Sequence, residues 1–212
     1  MTNTTLLQMQ HDIELPLSFL SKADGLSSPP PLSPSSKGGV LLTGATGFIG
    51  HYVLGHILKS FPLVKVYVIV RGEAERIAQD DRVKVLVGDL GRPMLGVKVA
   101  CVHRLFLLPI IVLQDFQWNE LVESVDYVVH NGAYVNHVME YKEMRSVNVL
   151  GIIEVLKLCA TGSHKKRLVM VSTTGVVPVL PGETPETPAK ESTTLATAED
   201  QVFSVPISPT LF

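Results

Sequence analysis

One short run, TGATGFIG at residues 43–50, constrains this chain more than any other part of it. It follows the apolar run Val40–Leu42 and precedes a helix-like stretch, so it predicts a strand, a glycine turn and a helix. The turn can bend sharply at Gly44, the backbone can approach a pyrophosphate at Gly47, and the helix can pack closely on the strand at Gly50. The N–H groups and positive dipole end of the helix favour that anion. The run therefore predicts a dinucleotide-binding α/β unit, with a purely structural turn as the alternative.

The bulk composition is that of a globular domain. With 212 residues, 46% of them apolar, the chain can form one domain with a sizeable core. Its formal charge of −2 gives no electrostatic footprint for nucleic acid. Cys101 and Cys159 make no disulfide framework, and residues 1–20 carry no secretion signal. We therefore expect a cytoplasmic protein that binds neither nucleic acid nor membrane.

Strands and helices alternate from Gly38 onwards. Apolar runs predict strands at about 40–43, 65–70, 83–87, 126–130 and 167–172, and helical periodicity predicts helices at about 48–60, 116–124 and 141–161. Apolar strands separated by helices imply a parallel sheet covered on both faces. The predicted fold class is α/β, a Rossmann-like doubly wound parallel sheet over residues 38–180.

Three segments fall outside this alternation. Residues 1–37, with the run SSPPPLSPSS, predict a disordered leader or linker, and residues 181–212 predict a disordered tail. Residues 97–114 interrupt the route from the third strand to the next helix, and they are too short to span a bilayer. A buried insertion explains this segment, and so does a translated intron, because a Val97 codon starts with GT and a Gln114 codon can end in AG. Abundant transcript reads that run unspliced through the segment would exclude the intron.

Small and polar residues follow the strands at the carboxyl edge of the sheet. Arg71 stands where a carboxylate would select the ribose of NAD, and it would accommodate the 2′-phosphate of NADP, unless it is an ordinary solvated Arg. Asp89 either accepts a hydrogen bond from the adenine amine or caps a turn. After the fourth strand, small residues let a cofactor approach the backbone of Asn131, Gly132 and Ala133.

Two hydroxyl residues, Ser172 and Thr173, end the fifth predicted strand. A hydroxyl there can bind a substrate carbonyl oxygen and stabilise the charge that develops during hydride addition, or it can cap its own backbone. His130 and His137 are expected to be structural or surface residues, because neither has a partner at ligand spacing, and no metal site is expected.

The order of these motifs resembles that of extended short-chain dehydrogenases/reductases. More closely, residues 38–180 resemble thioester reductase domains, such as those of fungal aminoadipate reductases, carboxylic acid reductases and nonribosomal peptide synthetases. The best discriminators are NGAYVN at residues 131–136 and NVLG at residues 148–151. The other matching runs are TGATGFIG, the Val-Arg pair at 70–71, GDL at 88–90 and VST at 171–173.

This resemblance implies that NADPH reduces a thioester, borne by a phosphopantetheinyl carrier protein, to an aldehyde or an alcohol. It implies a pyrophosphate site formed by Gly44, Thr46, Gly47, Phe48 and Ile49, and Gly50 completes the cofactor-binding turn. It assigns the 2′-phosphate to Arg71, the adenine to Asp89 and Leu90, and the ribose region to Asn131, Gly132 and Ala133. It makes Thr173 the catalytic hydroxyl, with Ser172 the second choice, and Asn148 a structural helix residue.

The sequence departs from the family where a proton donor is needed. The family's Tyr-x-x-x-Lys should follow the fifth strand, yet no tyrosine follows Tyr141, and none of the five tyrosines has a lysine four residues later. We therefore expect a truncated domain whose sheet is incomplete at the C-terminal side, and an inactive chain. The alternatives are a noncatalytic dinucleotide-binding sensor or interaction module, and an extended dehydrogenase acting on a free small molecule. A Tyr-x-x-x-Lys in frame downstream would restore the enzyme.

Overall fold

The computed structural model describes residues 3–13, 25–72, 77, 79–97 and 110–173, and for 110–116 it describes the backbone alone. The chain divides into two compact units, Met1–Val171 and Ser172–Phe212. All helices and strands reported below belong to the first unit. Within the described ranges, no helix is long and apolar enough to cross a membrane.

Five parallel strands form one sheet in the order β3-β2-β1-β4-β5. They are β1 (Gly39–Thr43), β2 (Lys65–Val70), β3 (Val83–Val87), β4 (Val125–His130) and β5 (Arg167–Met170). The predicted parallel α/β sheet is confirmed, and the fifth strand is shorter than expected. The strand order reverses between β1 and β4, which opens a crevice at the carboxyl edge of the sheet.

Helices cover both faces of the sheet, which explains why the strands read as nearly continuous apolar runs. The helices are α1 (Asn3–Ile13), α2 (Phe48–Ser60), α3 (Ile110–Ser124), α4 (Tyr141–Arg145) and α5 (Gly151–Cys159). One face packs on α3 and α5 through Leu121 and Val155, and the other packs on α2 through Leu54 and Ile57. The middle strand β1 is buried along its whole length.

The helix predicted over residues 141–161 is interrupted by a change of geometry. A π-helical turn, Ser146–Leu150, separates α4 from α5. Such turns occur inside longer helices and often lie at functional sites. Sequence periodicity indicates a helix but not this local widening.

The structure describes residues 3–13 and 25–37 of the predicted leader, and the disorder of the leader stays a prediction. The leader contributes α1, and residues 25–37 lie against the sheet: Leu32 packs on the core, and the Tyr127 hydroxyl donates a hydrogen bond to the carbonyl of Pro30 (2.9 Å). Prolines lack an N–H but keep a carbonyl acceptor, so a proline-rich run can still be held by donors on the sheet.

Two other predictions fall largely outside the described residues. The tail at 181–212 lies outside them, as do residues 98–109 of the anomalous segment. At the edges of that segment, Val97 is buried in the core and Ile110 begins α3. The helix predicted near residues 116–124 therefore starts earlier than expected.

Candidate dinucleotide-binding site

A cleft of about 500 Å³ lies at the carboxyl edge of the sheet, next to the reversal between β1 and β4. Its volume falls within the roughly 300–1,000 Å³ of typical ligand sites. Every predicted cofactor residue except Gly50 lines it, namely Gly44, Thr46, Gly47, Phe48, Ile49, Arg71, Asp89, Leu90, Asn131, Gly132 and Ala133. The other lining residues are Ile69, Val70, Gly88, Tyr134, Val135 and Val147, to which no role in cofactor binding was assigned from the sequence. Four separate loops thus meet at one cleft.

The loop between β1 and α2 depends on two glycines, each for a different reason. Gly44 has φ +68°, and a Cβ there would lie 2.8 Å from the carbonyl oxygen of Asn131 and from the Cα of Gly132. A side chain at Gly44 would therefore be strained and would push the β1 and β4 loops apart. Gly50 is buried, and a Cβ there would overlap the Gly44 carbonyl. It permits close packing of α2 on the turn rather than forming the wall of the cleft.

The amino terminus of α2 opens into the cleft without a side-chain cap. Its N-cap is Gly47, which provides no capping hydrogen bond, and the first helical turn contains no acidic residue. Phe48 and Ile49 are exposed there, and both line the cleft. The first-turn N–H groups therefore lack a side-chain acceptor, an arrangement that suits an anion such as a pyrophosphate.

A buried hydrogen-bond chain supports the floor of the cleft. The N–H of Gly132 donates to Thr43 Oγ1 (2.9 Å), and the same hydroxyl lies 2.9 Å from His130 Nδ1. Because Thr43 Oγ1 already accepts from Gly132, its own proton can go to an unprotonated His130 Nδ1. Burial lowers the pKa of His130, which favours this neutral form. The expectation that His130 is structural is confirmed, and Thr43 is a support that the sequence analysis missed.

Asn148, in the π-helical turn, fixes the loop after β4. Its Oδ1 accepts from the N–H of Tyr134 (2.7 Å), and its Nδ2 donates to the carbonyl of the same residue (2.8 Å). Tyr134 lines the cleft, so Asn148 holds the cleft wall from behind. This agrees with the structural role that the resemblance implied.

Among the described residues that line the cleft, Arg71 and Asp89 are charged. Arg71 is exposed at the end of β2, and its guanidinium makes no hydrogen bond or ion pair among the residues that the structure describes. Asp89 Oδ1 accepts from the N–H of Gly91 (3.0 Å), so the turn-capping role is present. Asp89 also lines the cleft, and a carboxylate with one capped oxygen keeps further lone pairs that can accept hydrogen bonds.

The predicted catalytic hydroxyls belong to the second unit. Ser172 and Thr173 are both exposed and follow Val171, whose N–H donates to the carbonyl of His130 (2.9 Å). The lining residues named above belong to the first unit. The catalytic roles of Ser172 and Thr173 stay predictions.

Comparison with known proteins identifies the family. The family described as "Male sterility protein", whose model is that of an NAD-binding domain, matches residues 42–205. The chain belongs to this family. Its relatives include L-2-aminoadipate reductases and a carboxylic acid reductase, and the resemblance to thioester reductase domains is confirmed.

The individual relatives show how much of each protein is shared. The chain is 31% identical over 181 residues to the L-2-aminoadipate reductase large subunit of Penicillium chrysogenum, covering 77% of this chain and 11% of that protein. It is 32% identical over 170 residues to the carboxylic acid reductase of Segniliparus rugosus, covering 69% and 13%. Among solved structures, the terminal R domain from the myxalamid PKS-NRPS biosynthetic pathway matches with a TM-score of 0.66 and 27% identity, over 87% of this chain and 46% of that one. The chain thus spans less than half of that R domain and a far smaller share of the two reductases.

Proposed function

We propose that the chain binds NADPH in the cleft of its first unit and forms the cofactor-binding part of a thioester reductase. The observation that carries this proposal is the convergence of four loops on one cleft, with the uncapped end of α2 on one side and Arg71 on another. The family binds NAD(P), and its reaction is the reductive release of a thioester-bound acyl group.

The residues of the cleft fit the parts of a dinucleotide. The backbone from Gly44 to Gly47 and the first turn of α2 would hold the pyrophosphate, because Gly44 and Gly47 have no side chains and the first-turn N–H groups have no side-chain acceptor. Arg71 would pair with the 2′-phosphate, and Asp89 and Leu90 would flank the adenine. Asn131, Gly132 and Ala133 would contact the second ribose. When bound, NADPH supplies the hydride; the protein residues bind and orient it.

The proposed substrate is an acyl group carried as a thioester on a phosphopantetheinyl carrier protein. The relatives support this, because one is the nonribosomal peptide synthetase asaC of Aspergillus flavus, 29% identical over 147 residues. In this proposal the Thr173 hydroxyl, or less favourably that of Ser172, hydrogen-bonds the acyl oxygen and stabilises the charge that develops on it.

Calorimetry with NADPH and NADH tests the cofactor assignment. We expect NADPH to bind more tightly by about tenfold or more, because a charge-assisted bond to phosphate contributes roughly 1.5–3 kcal/mol. Arg71→Ala should remove most of the preference, whereas Lys59→Ala, which removes an exposed charge at the other end of α2, should leave it unchanged. Equal affinities for the two cofactors would contradict the assignment of NADP. If neither cofactor binds, the proposal that the cleft is a dinucleotide site is wrong.

A noncatalytic dinucleotide-binding module is the second candidate. The observation in its favour is that the sequence contains no tyrosine with a lysine four residues later. Such a module would bind NADPH with the same preference but would not turn over any thioester. Binding and turnover measured on one preparation separate the two candidates.

A further inference from the structure

A side cavity shares part of its wall with the cleft, at the end where the adenosine of NADPH is proposed to bind. It has a volume of about 270 Å³ and shares Arg71, Gly88 and Asp89 with the cleft. The cavity adds Arg92 and Gly96, together with Val87, to this shared wall. Two guanidinium-bearing residues, Arg71 and Arg92, therefore border one cavity, although the sequence analysis identified Arg71 alone.

The turn that carries Arg92 is held in an unusual conformation. Met94, Leu95 and Gly96 have φ values of 54°, 56° and 56°, the left-handed region that residues with a side chain rarely adopt. Leu95 is fully buried, and its carbonyl accepts from the N–H of Asp89 (2.8 Å). The N–H of Met94 donates to Glu154 Oε2 on α5 (2.7 Å). Tertiary contacts therefore keep this turn against the end of β3 despite its strain.

The backbone of Arg92 is fixed by the same turn, whereas its side chain is only weakly engaged. Its N–H donates to the carbonyl of Asp89 (3.0 Å), but its Nε lies 3.5 Å from Asp89 Oδ2, and the two side chains are 62% and 38% exposed. A long, exposed ion pair contributes little to stability, so the guanidinium can take another anionic partner. Arg71, Arg92 and Asp89 line the same cavity, so two positive groups and one carboxylate are present among its described lining residues.

We propose that Arg92 is a second specificity residue for NADP, which binds the adenosine 2′-phosphate from the side opposite Arg71. The inference rests on the proposed binding of NADPH, and it adds a residue to that site. A phosphate monoester carries a charge of roughly −1.5 to −2 and three acceptor oxygens, more than a single guanidinium can satisfy. The forked donors of a second arginine supply the remaining hydrogen bonds.

Two other roles for Arg92 predict different results. If its guanidinium stacks on the adenine ring, its loss weakens NADPH and NADH binding equally, because the ring is common to both. If it only neutralises Asp89 and supports the turn, its loss lowers thermal stability and leaves the ratio of the two affinities unchanged. Measuring both cofactors and the melting temperature therefore identifies the role.

The test is a calorimetric comparison of the wild-type chain with Arg92→Ala, Arg92→Lys, Arg71→Ala and the double Ala variant, with Lys59→Ala as the charge-matched control. Arg92→Ala should weaken NADPH binding about tenfold and change NADH binding less than about twofold, as loss of one charge-assisted contact implies. Arg92→Lys should recover part of the loss, because lysine keeps the charge but not the fork. Lys59→Ala should change neither affinity.

The remaining outcomes separate this inference from the proposed function. An unchanged NADPH affinity in Arg92→Ala, or equal losses for both cofactors, overturns the inference. If Arg71→Ala removes the preference for NADPH and Arg92→Ala does not, the proposed function stands and only the role of Arg92 is wrong. If the wild-type chain shows no preference for NADPH, or binds neither cofactor, the proposed function and this inference fail together.

Discussion

The shape of the cleft depends on Gly44, because this residue combines a left-handed backbone with no space for a side chain. We expect Gly44→Ala to weaken NADPH binding by at least about tenfold, since left-handed φ costs an L-residue roughly 1–2 kcal/mol and the added methyl would displace the β4 loop. The matched control is Gly55→Ala in α2, where a Cβ would meet nothing within 4 Å. That variant should gain about 1 kcal/mol of helix stability and bind NADPH normally. Similar binding by the two variants would contradict this account.

His130 makes the stability of the cleft floor depend on pH. Burial lowers its pKa, so the unfolded chain takes up a proton at this residue near pH 6.5 while the folded chain does not. The folded state should therefore lose stability as the pH falls below about 6.5, with a slope of up to about 1.4 kcal/mol per pH unit. Denaturant unfolding at a series of pH values should show a shallower slope for His130→Asn, which cannot titrate. Parallel curves for the two proteins would show that His130 does not titrate on unfolding.

The predictability of single residues follows from where their contacts lie. Gly44 and Arg71 were predicted to line the site because each follows directly after a strand, and this position alone places them at the carboxyl edge of the sheet. Thr43 was missed because its role depends on a hydrogen bond to Gly132, far along the chain. Arg92 was missed for a similar reason, since only the folded turn brings it beside Arg71.

At the scale of elements, the helix α1 is attached to α4 by one carboxylate. Asp12 accepts hydrogen bonds from the Tyr141 hydroxyl (2.6 Å) and from Arg145, and its side chain is 6% exposed. The Arg145 guanidinium holds the pKa of Asp12 well below its usual range, while burial raises the pKa of Tyr141 to about 12. The sequence could not reveal this pairing, because the partners are more than a hundred residues apart.

Asp12→Asn should release α1 from the domain while the sheet stays folded. The neutral amide cannot form the charged pair and leaves Arg145 without its anion, a change that costs up to roughly 3–5 kcal/mol for a fully buried pair and less here, where Arg145 is 26% exposed. Hydrogen exchange should therefore speed up along α1 and remain slow in β1. Asp81→Asn, at an exposed position, is the control. Unchanged protection of α1 in Asp12→Asn would rule out this anchor.

The same anchor predicts that α1 loses stability in acid. Because the folded pKa of Asp12 is depressed, its contribution is fully present above the unfolded value of about 4 and is lost as the pH falls towards the folded value. The difference in α1 stability between the wild type and Asp12→Asn should therefore shrink below about pH 4. A constant difference from about pH 7 down to about pH 3 would contradict the charged pair.

The strands were predictable as elements, whereas their surroundings were less so. Buried parallel strands need continuous apolar runs, and these runs are visible in any sequence. The π-helical turn at Ser146–Leu150 and the path of residues 25–37 depend on contacts with distant strands and loops. Local sequence patterns do not encode such contacts, so these two features could be found only in the structure.

At the scale of the whole molecule, the proposed cofactor residues and the predicted catalytic hydroxyls lie in different units of the chain. The first unit contains the cleft, and the sequence predicted that cleft almost residue by residue. No Tyr-x-x-x-Lys occurs among the 212 residues, so the given sequence does not contain the proton donor that the resemblance implies. Dinucleotide binding by this chain is therefore separable from turnover by experiment.

We expect the chain by itself to bind NADPH but to reduce no thioester at a rate above background. Hydride addition produces an alkoxide-like oxygen, and losing the general acid that protonates it typically slows a reaction by about 10²- to 10⁴-fold. The Thr173 hydroxyl can donate only one hydrogen bond to that oxygen. An assay with an acyl-pantetheine thioester should show no substrate-dependent oxidation of NADPH in a preparation whose NADPH binding is confirmed by calorimetry. Robust turnover that Thr173→Ala abolishes would prove this prediction wrong, and it would mean that another residue of the chain replaces the tyrosine.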